Sequence, residues 1–184
     1  KRLELEEGKY IVVSAHREEN IDNEEHFMSL MTAINHAAER YRLPVIYSTH
    51  PRSMKFIESR GFAFHPLVRN LKPLGFMDYN KLQKNAFCVL SDSGTLSEES
   101  AMLGFKGVLI RTSTERPEVL DKGTVVIGGI RSEDIEQAIE LAVASEGDGE
   151  HILPYDYRDE NVSIKVVKLI QSYTKIINKE IWDK

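Results

Sequence analysis

The sequence predicts an α/β protein built on a doubly wound parallel sheet. Five or six short apolar runs alternate with amphipathic stretches of helical spacing, and this alternation is typical of parallel sheets covered by helices. In addition, four polar segments rich in hydroxyl groups or cations lie at the ends of apolar runs, at residues 16–17, 50–52, 93–95 and 111–116. Because ligands of doubly wound sheets bind outside the carboxyl ends of the strands, we expect these four segments to share one site.

The composition is that of an ordinary globular domain. The hydrophobic fraction is 41% and the charged fraction 29%, so 184 residues suffice for one well-buried core. The formal charge of −5 argues against a general nucleic-acid-binding surface. The single cysteine, Cys88, lies in an apolar run and is expected to be a buried thiol. No signal peptide and no membrane-length apolar run is apparent, which predicts a cytoplasmic protein without a membrane partner, and the charge predicts no nucleic-acid partner.

Six apolar runs are candidate strands. Each is four or five residues long, carries β-branched or aromatic residues, and is bounded by turn residues or a polar loop. The third run lies within an ambiguous segment, residues 62–71. The candidate strands span residues 10–14, 45–49, 68–71, 86–90, 107–111 and 124–127.

The stretches between these runs are candidate helices. Asp22, followed three residues later by Glu25, has the spacing of a capping box at the start of one helix. Gly61 and Gly104 stand where a left-handed residue would end two others, and Pro117 begins a further helical turn. The candidate helices span residues 22–41, 53–60, 78–86, 96–103, 132–143 and 162–182, with one turn from residue 117.

The segment after the fourth run, residues 91–100, carries the strongest chemical signal. Small hydroxyl residues and Gly94 occupy the start of a helix, where free backbone N–H groups and the helix dipole suit a phosphate. Glu99 comes one helical turn later and can accept hydrogen bonds from two hydroxyls of a sugar. A capped helix without a ligand explains the same residues. Neither the dinucleotide glycine fingerprint nor a phosphate loop ending in Gly-Lys-Ser/Thr is present.

Five segments together resemble the carboxyl-terminal half of the non-hydrolysing UDP-N-acetylglucosamine 2-epimerases. They occur in the family's order, at about its spacing, and extend over nearly the whole chain. The resemblance implies a Rossmann-like domain that forms the C-terminal domain of a glycosyltransferase-B type fold. The segments are Ala15-His16-Arg17-Glu18-Glu19-Asn20, His50-Pro51, Pro73-Leu74-Gly75-Phe76, Ser91-Asp92-Ser93-Gly94-Thr95 with Glu98-Glu99, and Thr114-Glu115-Arg116-Pro117-Glu118.

Thr95 departs from the usual pattern of this family, which has a second glycine at that position. Thr95, the stretch 73–83 and the tail segments 161–163 and 172–174 make the chain more similar to one branch of the family. That branch forms UDP-N-acetyl-L-fucosamine by epimerising UDP-2-acetamido-2,6-dideoxy-L-talose, a step in capsule and O-antigen synthesis.

The resemblance implies a site for uridine diphosphate (UDP) in this half of the enzyme. Glu99 is expected to bind both ribose hydroxyls, and Phe76 to lie against the uracil ring. His16 is the expected catalytic residue, donating a proton or hydrogen bond to the departing UDP. His50 is expected to make a regulatory or substrate contact. The other UDP-binding residues are expected to be Arg17, Ser93, Gly94, Thr95 and Arg116.

The resemblance also implies how this half contributes to the reaction. In the family, a base removes the proton at sugar C2, UDP leaves C1, and UDP then returns to the reprotonated sugar. The acidic residues that handle the C2 proton belong to an amino-terminal half. This chain looks like part of a longer one, because it begins with a polar run and no methionine. The chain alone is therefore expected to have no epimerase activity.

Residues 1–160 are expected to form the UDP-binding domain, and residues 161–184 a helix that crosses toward the missing amino-terminal domain. The whole enzyme is expected to act on a UDP-sugar as a homodimer, without a metal or another cofactor.

Other interpretations stay open. A hydrolysing 2-epimerase or a UDP-sugar glycosyltransferase of the same fold would bind UDP alike, but water or an acceptor would end the reaction. A non-catalytic nucleotide-binding domain would bind UDP without turnover. For single residues, Arg17 and Arg116 can simply pair with neighbouring glutamates, and His50 can serve only to shape the turn before a proline.

Overall fold

The computed structural model describes residues 3–144 and 153–183, and its strands form one parallel sheet. In this described part the strand order is β3-β2-β1-β4-β5-β6, and every neighbouring pair is parallel. The chain order reverses between β1 and β4, which is the arrangement of a doubly wound sheet and confirms the predicted fold class. The strands are β1 (Ile11–Ser14), β2 (Val45–Ser48), β3 (Val68–Leu71), β4 (Cys88–Ser91), β5 (Gly107–Leu109) and β6 (Val125–Ile127).

Helices connect the strands, largely as the apolar spacing predicts. Gly104 ends one of them with a φ of 72°, in the left-handed region that glycine adopts without strain. The helices of this part are α1 (Glu18–Ile21), α2 (Glu24–Tyr41), α3 (Pro51–Ser59), α4 (Phe76–Lys84), α5 (Thr95–Leu103), α6 (Pro117–Asp121) and α7 (Ser132–Ala144).

The predicted capping box at the start of α2 is wrong. Asn23 is the N-cap, and its side chain accepts a hydrogen bond from the backbone N–H of His26 at 3.1 Å. Asp22 instead follows α1, and its carboxylate pairs with the guanidinium of Arg52. The N-cap is therefore one residue later than predicted, and Asp22 is the C-cap of the separate short helix α1.

Apolar side chains cover both faces of the sheet. Successive residues of β1 point to opposite faces, so Val13 and Val12 belong to separate clusters. The first cluster includes the buried apolar residues of α2 and α7, and the second includes Leu96 of α5. Cys88 is buried as predicted, and burial raises the pKa of its thiol to about 12.

Residues from 154 onward form a second structural unit, which we describe by itself. A short 3-10 helix (Tyr155–Arg158) precedes α8 (Val162–Glu180). Apolar and lysine residues are interspersed along α8 at helical spacing, and Lys165 forms an ion pair with Asp159. Among the described helices, none is both long and apolar enough to cross a membrane. Glycine and acidic residues at positions 146–150 predict a loop, and these positions lie outside the described residues.

Candidate functional site

Asp92, the buried residue between β4 and α5, anchors the segment that follows β1. Its Oδ2 atom accepts hydrogen bonds from the backbone N–H groups of His16 and Arg17, both at 2.8 Å. The same oxygen accepts a bond from Nδ2 of Asn20 at 3.1 Å, and Asn20 also donates to the carbonyl of Ile110 at 3.2 Å. These bonds join the segments after β1, β4 and β5 at one edge of the sheet.

Two predicted histidines meet at this edge. The ring centroids of His16 and His50 are 5.7 Å apart, with the ring planes tilted by 30°. His16 Nδ1 lies 3.5 Å from Oδ1 of Asp92. His50 is also the N-cap of α3, where its Nδ1 accepts a bond from the backbone N–H of Arg52 at 3.3 Å. The segment after β2 thus joins the other three, while His50 also shapes the turn.

The turn before α5 is close to a cation, as a phosphate site requires. The hydroxyls of Ser93 and Thr95 are 3.0 Å apart. A β-carbon on Gly94 would lie 3.0 Å from a guanidinium nitrogen of Arg116, so the missing side chain lets Arg116 approach the turn. Arg116 also pairs with Glu98 on α5. Backbone N–H groups at a helix start, together with a guanidinium, suit an anion.

Both predicted arginines have the glutamate partners that the simpler interpretation requires. A guanidinium nitrogen of Arg17 lies 3.5 Å from Glu19, and the side chain of Arg17 is 39% exposed. Arg116 pairs with Glu98, and the side chain of Arg116 is 29% exposed. Ion pairs that retain access to water contribute little stability, so the negative charge of a diphosphate can compete for either guanidinium.

Glu99 is held by a residue that the sequence did not single out. Its Oε2 atom accepts a hydrogen bond of 2.8 Å from Nε2 of Gln83, which is buried on α4. Tyr79, four residues earlier on α4, interacts with the side chain of Ser14 and with the charges of Glu99 and Asp92. Burial and these two carboxylates raise the pKa of the Tyr79 hydroxyl to about 12.

The structure places Phe76 at the first position of α4, with 74% of its surface exposed. It is one helical turn before Tyr79, on the same side of the helix. The signal that identifies Tyr79 and Gln83 is their spacing of four residues, which aligns them on one face of α4. No pattern in the sequence indicates the contact between Asp92 and Asn20, because only the folded chain brings these two residues together.

Arg111 is a buried residue two positions after the end of β5, and it pairs with Glu115. The two guanidinium nitrogens of Arg111 lie 3.0 and 2.6 Å from the two carboxylate oxygens, a bidentate arrangement. This hydrogen bonding holds the pKa of Glu115 at about 2.

We therefore expect Glu115 to titrate near pH 2 rather than at its ordinary value of 4.5. Because folding lowers this pKa, the stabilisation is complete above about pH 4.5 and is lost as the pH falls toward 2. Carbon-13 NMR of the side-chain carboxyl from about pH 6 down to about pH 2 tests the shift, because a carboxyl of ordinary pKa is almost fully protonated at the end of that range and Glu115 should be only about half protonated. The Arg111→Met variant should return the titration toward the ordinary value of 4.5. A wild-type midpoint above pH 4 would contradict the expected pairing.

A cavity of about 360 Å³ lies away from this edge. It is lined by residues such as Tyr10 and Asn85, which precede β1 and β4, and so it is at the amino-terminal ends of the strands. None of the predicted site residues lines it. Within residues 3–144 and 153–183, no group of three or more histidine, cysteine or acidic side chains is arranged to hold a metal ion.

Comparison with known proteins gives consistent matches. The family model described as UDP-N-acetylglucosamine 2-epimerase matches residues 1–171. A UDP-N-acetylglucosamine 2-epimerase of Methanococcus maripaludis is 34% identical over 141 residues, which are 74% of this chain and 38% of that protein. A homolog of that enzyme from the same organism is 30% identical over 177 residues, 92% of this chain and 46% of that protein. The chain thus spans less than half the length of these relatives.

Solved structures of similar proteins share the fold. The UDP-N-acetylglucosamine 2-epimerase of Rickettsia bellii superposes with a TM-score of 0.77 at 31% identity, covering 100% of this chain and 49% of that one. The Methanocaldococcus jannaschii enzyme, crystallised in complex with UDP-GlcNAc and UDP, has a TM-score of 0.75 at 26% identity. That match covers 89% of this chain and 45% of the other.

Proposed function

The chain belongs to the UDP-N-acetylglucosamine 2-epimerase family, and we propose that it is the UDP-binding half of a UDP-N-acetylhexosamine 2-epimerase. The observation that carries this proposal is the meeting of His16, His50, Arg116 and the turn before α5 at the carboxyl edge of the sheet. A solved relative bound to UDP supports the choice of ligand.

The diphosphate is proposed to bind at the start of α5. Ser93 and Thr95 supply hydroxyl groups there, Gly94 and Thr95 supply backbone N–H groups, and the helix dipole favours a negative charge at this end. Arg116 lies against Gly94 and adds positive charge. Arg17 follows β1 at the same edge and is proposed as the second phosphate-binding cation.

The nucleoside is proposed to extend along α5 toward α4. Glu99 is then within one helical turn of the phosphate site, and Gln83 fixes one of its oxygens. A carboxylate held in this way can accept both ribose hydroxyls. Phe76 remains the proposed uracil contact, because an exposed aromatic ring provides apolar area for a base. Tyr79 is proposed to contribute partly buried surface between Glu99 and Phe76.

The chemical contribution of this half is proposed to be stabilisation of the leaving group. When the bond between sugar C1 and the diphosphate oxygen breaks, the electron pair goes to that oxygen. His16 donates a proton to it, and the nearby cation and N–H groups stabilise the remaining charge. The base for the C2 proton belongs to an amino-terminal half, so this chain alone should bind UDP without catalysing epimerisation.

Further proposals concern the whole enzyme. His50, next to His16, is proposed to contact the sugar or a regulatory UDP-sugar. Residues 161–184 are proposed to extend toward the amino-terminal half of a homodimeric cytoplasmic enzyme. Thr95 and the segment 73–83 favour the UDP-N-acetyl-L-fucosamine branch, and hence a role in capsule or O-antigen synthesis.

Titration of the isotope-labelled chain with UDP tests the site directly. We expect the backbone amide signals of residues 93–95 and the ring signals of His16 to shift together at one dissociation constant. Uridine without phosphates should perturb Glu99 and its neighbours more than residues 93–95. Shifts confined to other regions, or none at millimolar UDP, would rule out a UDP site at this edge of the sheet.

A further inference from the structure

Asp92 has one carboxylate oxygen with three donors and one with none. Oδ2 accepts the bonds from His16, Arg17 and Asn20, and the residue is fully buried. Oδ1 is buried without a hydrogen-bond partner in the described part of the chain. Leaving a charged oxygen unpaired away from water is costly, so a nearby donor should bind it in the functional state. The donor that faces Oδ1 is Nδ1 of His16, at 3.5 Å.

We propose that Asp92 is the positioning residue of His16, holding a proton on Nδ1 so that Nε2 faces the diphosphate. This inference rests on the proposed function. The two ring nitrogens are on different edges of the imidazole, and fixing one of them orients the other. The side chain of His16 is 45% exposed, whereas Asp92 is buried, so part of the imidazole ring is accessible to a ligand.

The backbone bonds strengthen this arrangement. Oδ2 of Asp92 binds the N–H group of His16 itself, so the carboxylate fixes both the main chain and the ring of that residue. The present separation of 3.5 Å is longer than a hydrogen bond, and contacts of this kind commonly shorten when a ligand binds. UDP is therefore expected to shorten the distance between Nδ1 and Oδ1.

The proposed pair has a definite chemical consequence. When both nitrogens of His16 carry protons, the ionised carboxylate of Asp92 balances the charge of the ring. The proton on Nε2 passes to the diphosphate oxygen that receives the electron pair of the broken C1–oxygen bond. The proton on Nδ1 remains in the bond to Asp92, which stays ionised throughout. Asp92 thus acts through His16 without touching the substrate.

The test is to measure which ring nitrogen of His16 is protonated, by nitrogen-15 NMR of this chain at about pH 8.5. We expect the proton on Nδ1 in the wild type. In Asp92→Asn the amide oxygen keeps the Oδ2 bonds, while its NH₂ group faces Nδ1 and moves the ring proton to Nε2. The matched control is Glu136→Gln, which removes the carboxylate bonded to His36 Nδ1 at 2.7 Å. It should change the His36 ring only.

Each outcome decides the inference. A wild-type His16 protonated on Nε2, or a ring unaffected by Asp92→Asn, overturns it, and so does an equal change in the Glu136→Gln control. If Asp92→Asn does not fold, the wild-type measurement decides alone. Adding UDP should shift the Nε2 signal and leave the proton on Nδ1. If UDP binds but Nε2 does not respond, Asp92 does not orient Nε2 toward the ligand, although the UDP site stands. If UDP does not bind, the proposed function fails, whichever nitrogen is protonated.

Discussion

Replacing Glu99 with alanine is expected to weaken the binding of UDP to this chain about 100-fold. Each hydrogen bond from a ribose hydroxyl to a carboxylate contributes about 1.5 kcal/mol or more, so the loss of two costs about 3 kcal/mol. Gln83 holds the carboxylate in place, so little side-chain entropy is lost when the ribose binds. Isothermal titration calorimetry of both proteins measures the difference.

Ligand and protein controls make this prediction specific. The 2′,3′-dideoxy analogue of UDP should bind wild type and Glu99→Ala with equal affinity, because it lacks the hydroxyls. Gln83→Leu should weaken UDP binding about 5-fold by releasing the carboxylate, and it should have no further effect when Glu99 is already alanine. Glu58→Ala, on α3, is the surface control. An affinity of Glu99→Ala within threefold of the wild type would show that the ribose is not bound at this residue.

Replacing Asn20 with alanine is expected to lower the free energy of unfolding by about 2–3 kcal/mol. The side chain of Asn20 is fully buried and donates to both Asp92 and the carbonyl of Ile110. Its removal costs two hydrogen bonds and leaves buried acceptors with fewer donors, which is more expensive than losing exposed ones. Urea denaturation monitored by circular dichroism gives the difference between the two proteins.

The matched control is Asn35→Ala. Asn35, on α2, also makes two hydrogen bonds, to the carbonyl of Ala63 and from the N–H group of His65, but it is only partly buried. Water can replace its bonds, so a loss of about 1 kcal/mol is expected. The amide signals of residues 16 and 17 should broaden in Asn20→Ala only. Equal destabilisation by the two variants would mean that Asn20 does not specifically anchor the segment after β1.

The fold could be predicted from the sequence because its signals are local. Short runs such as residues 10–14 and 45–49 are apolar and β-branched, and the helix spacing between them is that of α2. Gly104 marks the end of α5, because few other residues adopt a positive φ without strain. Where two local signals compete, as at residues 22 to 25, a capping pattern alone does not distinguish one helix from two.

The site residues could be predicted from the sequence only in part. The roles expected of His16, His50 and Arg116 are implied by the resemblance to the family, whereas their common edge is predicted by the rule that ligands bind at the carboxyl ends of strands. The structure brings His16 and His50 together at that edge. The partner of Arg111 is decided by the structure, which shows a bidentate pair with Glu115. Whether the predicted residues bind UDP stays a prediction.

The sequence by itself determined the doubly wound sheet, the buried thiol and the motifs of the epimerase family, because each depends on residue type and short-range spacing. Only the tertiary structure decided the partners of those motifs. Asp92 meets His16 from 76 residues away, and Gln83 meets Glu99 from 16 residues away on another helix. Such pairings depend on the register of parallel strands and the packing of helices. Neither the register nor the packing can be inferred from a single segment of the sequence.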